Sequence, residues 1–209
     1  MMERISASDL ISRIGDIPEG GRKIIGIAGP PGSGKSTFAA ALELELNTRC
    51  PGYAAVVPMD GFHFDDLVLV PGGLRSRKGA PETFDVDGFL HMLSRLRVNQ
   101  PEGIAVPLFD RSLEVARAGA RIVPRSVRAV IVEGNYLLLD REKWHALHFD
   151  ISVMLNVPRD VLRQRLIDRW AGYGKSASQI SAQVDANDML NVDLVIGSSR
   201  PAQFVIEQG

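Results

Sequence analysis

Along the chain, short β-branched runs alternate with longer stretches in which apolar positions recur at helical spacing. Residues 22–28, Arg-Lys-Ile-Ile-Gly-Ile-Ala, form an apolar run bounded by Gly and Pro. That composition predicts a strand buried on both faces of a parallel sheet. Phe38, Leu42 and Leu46 then lie on one helical face with Ala39 to Ala41 between them, and Cys50-Pro51-Gly52 closes that helix. Further strands are predicted at Ala54–Met59, Ile104–Phe109, Arg128–Val132 and Ile151–Leu155, and a last one at the apolar run Val192–Ile196. Helices are predicted at Val86–Arg97, after Pro158 in its first turn, and from about Ser178. Residues 1–21 read as an N-terminal helical extension. Residues 61–84, broken by Pro71-Gly72-Gly73 and Pro81, read as a long irregular excursion of the kind that carries function. Strand and helix in alternation predict an α/β domain, a mostly parallel sheet covered by helices on both faces in three layers.

Composition narrows the class without changing this picture. The chain has 209 residues with 45% hydrophobic and 23% charged positions, which suits a single globular domain and excludes general disorder. With 24 basic against 25 acidic residues and no charged block, nucleic acid is not the expected partner. One cysteine, Cys50, gives no internal disulfide and no structural zinc site, as expected of a reduced, cytoplasmic protein. No apolar stretch approaches the length of a membrane span or a signal peptide, so no membrane association is expected. A homodimer is compatible with the sequence.

Candidate chemistry begins at Gly29-Pro30-Pro31-Gly32-Ser33-Gly34-Lys35-Ser36-Thr37, which satisfies the phosphate-loop pattern from Gly29 to Ser36. A strand precedes it and a helix follows, as required if backbone N–H groups and a helix N-terminus are to converge on phosphate oxygens. Gly29, Gly32 and Gly34 permit the close wrap, Ser33 and Thr37 complete the cradle, and Lys35 is expected on the β- and γ-phosphates of ATP. Ser36 is expected to hold Mg²⁺. The next strand ends in Asp60-Gly61-Phe62-His63, and ligands of open α/β sheets bind at the carboxyl ends of strands. A carboxylate there can accept the proton of an attacking hydroxyl. The same dipeptide also suits a turn whose carboxylate bonds its own backbone.

Asp60-Gly61-Phe62-His63, Arg77-Lys78-Gly79-Ala80-Pro81-Glu82-Thr83-Phe84-Asp85-Val86 and Val132-Glu133-Gly134-Asn135-Tyr136, together with the phosphate loop, resemble the P-loop small-molecule kinases grouped with uridine kinase, phosphoribulokinase and bacterial pantothenate kinase. The subgroup most similar in these motifs carries the label fructose transport system kinase, and the resemblance runs from about residue 22 to 197. It implies a P-loop NTPase fold with a small lid at about 168–178, and Asp60 as the base toward the acceptor. It also implies Glu133, in place of the more common Asp, as the acid that ends the Walker-B strand and holds metal or orients substrate. Lid arginines contact ATP phosphates in that group, and Arg165 and Arg169 match best. They lie four apart and share a helical face, which also suits a solvated surface.

The acceptor is expected to be a small molecule bearing a hydroxyl, a sugar, a nucleoside or a pantothenate-like alcohol. Its pocket is expected among His63, Arg77, Lys78, Arg111 and Glu133, with specificity set by residues 61–84 and 107–111. Asp85 is placed to cap the helix at Val86, and Trp144, His145 and His148 suggest nothing catalytic. The loop Ile196-Gly197-Ser198-Ser199-Arg200-Pro201 corresponds to the adenine-contacting loop of the related kinases. The competing expectation is a regulatory or transport-associated P-loop ATPase module, for which a base such as Asp60 would have no acceptor to serve.

Overall fold

The computed structural model describes residues 2–208 and contains eight strands among them. β1 (Glu3–Arg4), β2 (Lys23–Ala28), β3 (Ala54–Pro58), β6 (Ala129–Gly134), β7 (Ile151–Asn156) and β8 (Phe204–Glu207) form one six-stranded sheet. Its order is β1-β8-β7-β2-β6-β3 and every pairing is parallel. β4 (Gly103–Asp110) and β5 (Val115–Pro124) pair antiparallel as a separate hairpin.

Both faces of the sheet are buried because alternate residues of each central strand feed different cores. Ile24 and Ala28 of β2 and Val130 and Val132 of β6 pack with Phe89, Leu93 and Leu96 of α4 (Val86–Val98). Ile25, Ile27, Ala129 and Ile131 pack on the other side with α1 (Ala7–Ile14) and α2 (Lys35–Arg49), through Leu10, Ile14, Leu42 and Leu46. This is the three-layer α/β architecture that the alternating pattern predicts. A smaller third core joins α6 (Arg159–Gly172), α7 (Ala177–Gln183) and α8 (Met189–Ser198) through Leu162, Leu166, Ile180, Val184 and Val192. No helix among the described residues is long and apolar enough to cross a membrane.

Three elements differ from expectation. The run Val192–Ile196 lies within α8, not in a strand: Met189, Val192 and Val195 are buried at helical spacing while Ile196 is exposed. A short apolar run carries no period of its own, and the sheet position goes instead to β8. The segment 1–21 is not wholly helical, since β1 pairs with β8 before α1 begins behind a Ser6–Asp9 capping box. Finally, the strand near Ile104 folds back as the β4–β5 hairpin, whose second strand is mostly exposed and so shows no apolar alternation. The excursion 61–84 begins in a 3₁₀ turn (Met59–Phe62), contains α3 (Asp66–Leu69) and 3₁₀ turns at Arg75–Arg77 and Pro81–Thr83, and is closed by a bridge between His63 and Phe84. A four-residue α5 (Glu142–His145) follows β6.

β3 is an edge strand, and side chains occupy its free edge. The Val56 N–H donates to Glu43 Oε1 at 3.0 Å and the Val56 carbonyl accepts from Arg121 Nη1 at 2.6 Å. The opposite edge is the two-residue β1, flanked by an Arg4–Glu207 ion pair at 3.4 Å.

Candidate functional site

Three adjacent strands end level with one another. Ala28 pairs with Gly134, and Pro58 with Glu133, so β2, β6 and β3 deliver the phosphate loop, Glu133 and Asp60 to one rim. Neighbouring strands are about 4.8 Å apart, so side chains leaving the three ends converge within one ligand's width. The cleft they enclose is lined by Gly32, Lys35, Ser36, Thr37, Asp60, Arg111, Glu133, Asn135 and Arg169, with about 160 Å³ of open space.

The loop itself is shaped for an anion. Gly32 and Gly34 adopt φ of 83° and 86°, the left-handed region that side chains disfavour. Gly34 also precedes α2 as an N-cap without a side chain to cap it, leaving the first N–H groups of the helix unpaired by any side chain. Ser33 is fully buried, and its Oγ has no hydrogen-bond partner among the described residues. A Cβ at Gly29 would meet that hydroxyl at 2.6 Å, so a larger residue there would have to turn the Ser33 side chain aside.

Lys35 is buried and donates to the Pro30 carbonyl at 3.1 Å. Burial pushes its ammonium down to about 8, against the pull of the Glu133 and Asp60 carboxylates. Ser36 Oγ donates to Glu133 Oε1 at 3.1 Å. Glu133 is 6% exposed, and burial raises its carboxyl above the ordinary value, helped by the nearby charge of Asp60 and opposed by Lys35. Asp60 sits in a 3₁₀ turn (Met59–Phe62) and pairs with Arg111 Nη2 at 2.5 Å. Three cations and two carboxylates therefore line the cleft, leaving a positive balance that suits a polyphosphate.

The Asp60–Arg111 pair depends on a close backbone approach. A Cβ on Gly61 would collide with the Pro107 carbonyl of β4, so glycine lets the hairpin lie against the turn and bring Arg111 over Asp60. Gly61→Ala is expected to destabilise the fold by about 1–3 kcal/mol, the usual cost of forcing an extra group into a packed contact. Chemical denaturation measures it, and an unchanged midpoint would show that the hairpin shifts freely.

The remaining candidates distribute unevenly. Arg169 lines the cleft, whereas Arg165, one turn earlier on α6, is half-buried and lies outside that lining. His63 packs at a tilt between Phe84 and Phe109, with ring centroids at 4.0 and 4.8 Å, and its Nδ1 lies 2.8 Å from the Asp60 carbonyl. A carbonyl only accepts, so Nδ1 carries the proton and Nε2 is left as an acceptor. Burial lowers the imidazole from its ordinary value, which favours this neutral form. Lys78 reaches Asp66 Oδ1 at 2.8 Å and the Glu114 carbonyl at 2.7 Å, over the Phe109 ring. Arg77 turns away from the cleft to Asn187 Oδ1 at 2.8 Å. Asp85 caps α4 as expected, accepting from Gly88 N at 2.9 Å. Asn135, within a motif but not itself singled out, also lines the cleft. Only its place one step beyond Gly134 at the end of β6 could have marked it.

A second cleft of about 490 Å³ opens on the other side of the phosphate loop, lined by Pro30, Asn156, Val157, Ile196, Ser199 and Pro201 among others. Its size falls in the range of small-molecule pockets. Arg200 borders it, but its guanidinium donates to the His145 carbonyl at 2.6 Å and to the Leu147 carbonyl, which fixes it as a staple between loops.

No protein-family model matches the chain. Over 190 residues it is 37% identical to the Escherichia coli protein YggC, itself uncharacterized, covering 89% of this chain and 78% of YggC. It is 33% identical over 196 residues to a Schizosaccharomyces pombe protein provisionally named a uridine kinase, covering 90% of this chain and 83% of that one. A solved structure from Silicibacter sp. TM1040, provisionally named a fructose transport system kinase, superposes with a TM-score of 0.88 at 39% identity. That match covers 96% of this chain and 98% of the other.

Proposed function

Because the chain belongs to the P-loop kinases grouped with uridine kinase and pantothenate kinase, we propose that it transfers the γ-phosphoryl group of ATP to a hydroxyl of a small metabolite. The observation that carries this reading is the level ending of β2, β6 and β3, which sets a carboxylate, Asp60, across the cleft from a phosphate cradle. A switch or a simple ATPase has to orient only water, whereas a base presented beside an open excursion suits an alcohol.

Each residue then has a task. The loop amides and Lys35 hold the triphosphate, with the nucleoside lying toward the second cleft beyond Pro30. Arg169 adds charge to the phosphate oxygens, where the transition state of phosphoryl transfer spreads its negative charge. Asp60 receives the acceptor proton. Arg111 neutralises a carboxylate that would otherwise stand bare against the phosphates, and because it bonds Oδ2, the other oxygen, Oδ1, is left for an acceptor hydroxyl. His63 offers Nε2 as an acceptor suited to a hydroxyl donor.

The Ser36 hydroxyl and Glu133 carboxylate, already in contact, are the oxygen donors that a hard cation such as Mg²⁺ prefers. No group of three or more ligating side chains exists among the described residues, which fits an ion that takes one or two protein ligands and draws the rest from phosphates and water. When bound, Mg²⁺ would neutralise negative charge on the phosphate groups.

The test is an assay with labelled ATP and magnesium over a panel of sugars, nucleosides and pantothenate. Label transfer to one class of alcohol is the expected result. Release of phosphate to water alone, across the whole panel, would replace the kinase with an ATPase module.

A further inference from the structure

Three segments distant in sequence meet at Asn187. This side chain is only 5% exposed and lies in a π-turn (Val184–Asp188) between α7 and α8. Its Oδ1 accepts from Arg77 Nη1 at 2.8 Å, and its Nδ2 donates to the Lys78 carbonyl at 3.2 Å. Arg77 also reaches the Ala186 carbonyl at 3.3 Å. A buried amide bonded on both its oxygen and its nitrogen tolerates little displacement of either partner.

Both sides of this clasp continue to the cleft. Asp188 Oδ2 accepts from Trp170 Nε1 at 2.6 Å, and Trp170 is the neighbour of Arg169, which lines the phosphate cleft. On the acceptor side, the Gly79 carbonyl accepts from Tyr136 OH at 2.7 Å, close to Asn135 at the end of β6. Lys78 ties the same loop to the Glu114 carbonyl at the turn that carries Arg111. Residues 77–79 are thus held between the helix that brings an arginine to the phosphates and the hairpin that brings one to Asp60. Single π-turns are rare and concentrate at functional sites.

We infer that Asn187 is a positioning residue that passes the seating of the nucleotide triphosphate under α6 to the acceptor-side loop 75–80. This rests on the nucleotide-binding half of the proposed function. The sequence of events is mechanical: Arg169 settles on phosphate, Trp170 moves with it, Asp188 and Asn187 follow, and the existing hold on Arg77 and Lys78 tightens before an acceptor arrives. No residue of 75–80 lines the phosphate cleft, so any response there must come through contacts of the protein.

Amide hydrogen exchange with and without magnesium and the nonhydrolysable ATP analogue AMP-PNP tests this without a known acceptor. In the wild-type chain, exchange in 75–80 should slow by at least about fivefold, the lower end of typical couplings between sites, alongside protection of 29–37. Asn187→Ala should abolish the slowing in 75–80 while analogue affinity and the protection of 29–37 persist. Arg77→Gln, which leaves the buried amide in place, should do the same and guards against a variant that fails to fold. A purely structural clasp would instead raise exchange in the free protein and leave the nucleotide-dependent increment intact. That result, or protection of 29–37 with 75–80 unchanged in wild type, would overturn the inference alone. Absence of analogue binding would overturn the kinase reading and this inference together.

Discussion

Asp60→Asn should cut turnover by about 10²–10⁴, the contribution of a positioned general base, while leaving nucleotide affinity nearly unchanged. The amide keeps the size of the carboxylate and can still occupy the turn beside Gly61, so the geometry around β3 survives. What disappears is the group able to take a proton at the end of β3. The loss should fall on kcat and not on the KM for ATP, because in the proposed mechanism the triphosphate is held by the loop amides and Lys35 and not by Asp60. Arg111 sharpens the result. Without the charge of Asp60, its guanidinium loses its 2.5 Å partner and is free to swing toward the phosphates, so any change in nucleotide binding should be a tightening. Full turnover in the Asp60→Asn variant would remove Asp60 from the chemistry.

Lys35→Met should cost both binding and rate, the latter by about 10²–10³, as for loss of one preorganised donor at the reacting group. The environment of Lys35 adds a signature in pH. Its folded-state value is lowered to about 8 from an ordinary 10.5, chiefly by burial. The folded chain therefore releases this proton near pH 8 while the unfolded chain holds it to about 10.5, so this group makes stability rise as pH climbs through that window. A triphosphate beside the ammonium reverses the preference by favouring the charged form. Binding AMP-PNP between pH 8 and 10.5 should take up protons, measurable by calorimetry in buffers of different ionisation enthalpy, and Lys35→Met should show no such uptake. Equal proton uptake in both proteins would assign the titration elsewhere.

The phosphate loop was legible because its demands fall on the backbone, and a backbone demand dictates residue type: the left-handed conformation at 32 and 34 favours glycine. Asp60 and Glu133 were legible because apolar runs reveal where parallel strands stop, and ligands gather at those ends. Partners across the fold were not. Arg111 lies 51 positions from Asp60 and Arg77 lies 110 from Asn187, and neither separation leaves a local trace. β5 leaves no periodic signal in the sequence because Arg117, Ala118, Gly119 and Ala120 are solvent-facing. Val192–Ile196 misled for the complementary reason that a short apolar run packs equally well as helix or strand.

The two side chains that grip Val56 from outside have a bearing on how copies of this chain behave at high concentration. An unguarded outer strand is a template onto which another polypeptide can zip, and stacks grow from such templates. Here Glu43 and Arg121 already fill the donor and acceptor that a newcomer would seek, and the far margin offers it only two residues. Runaway fibre growth from either margin is thereby discouraged.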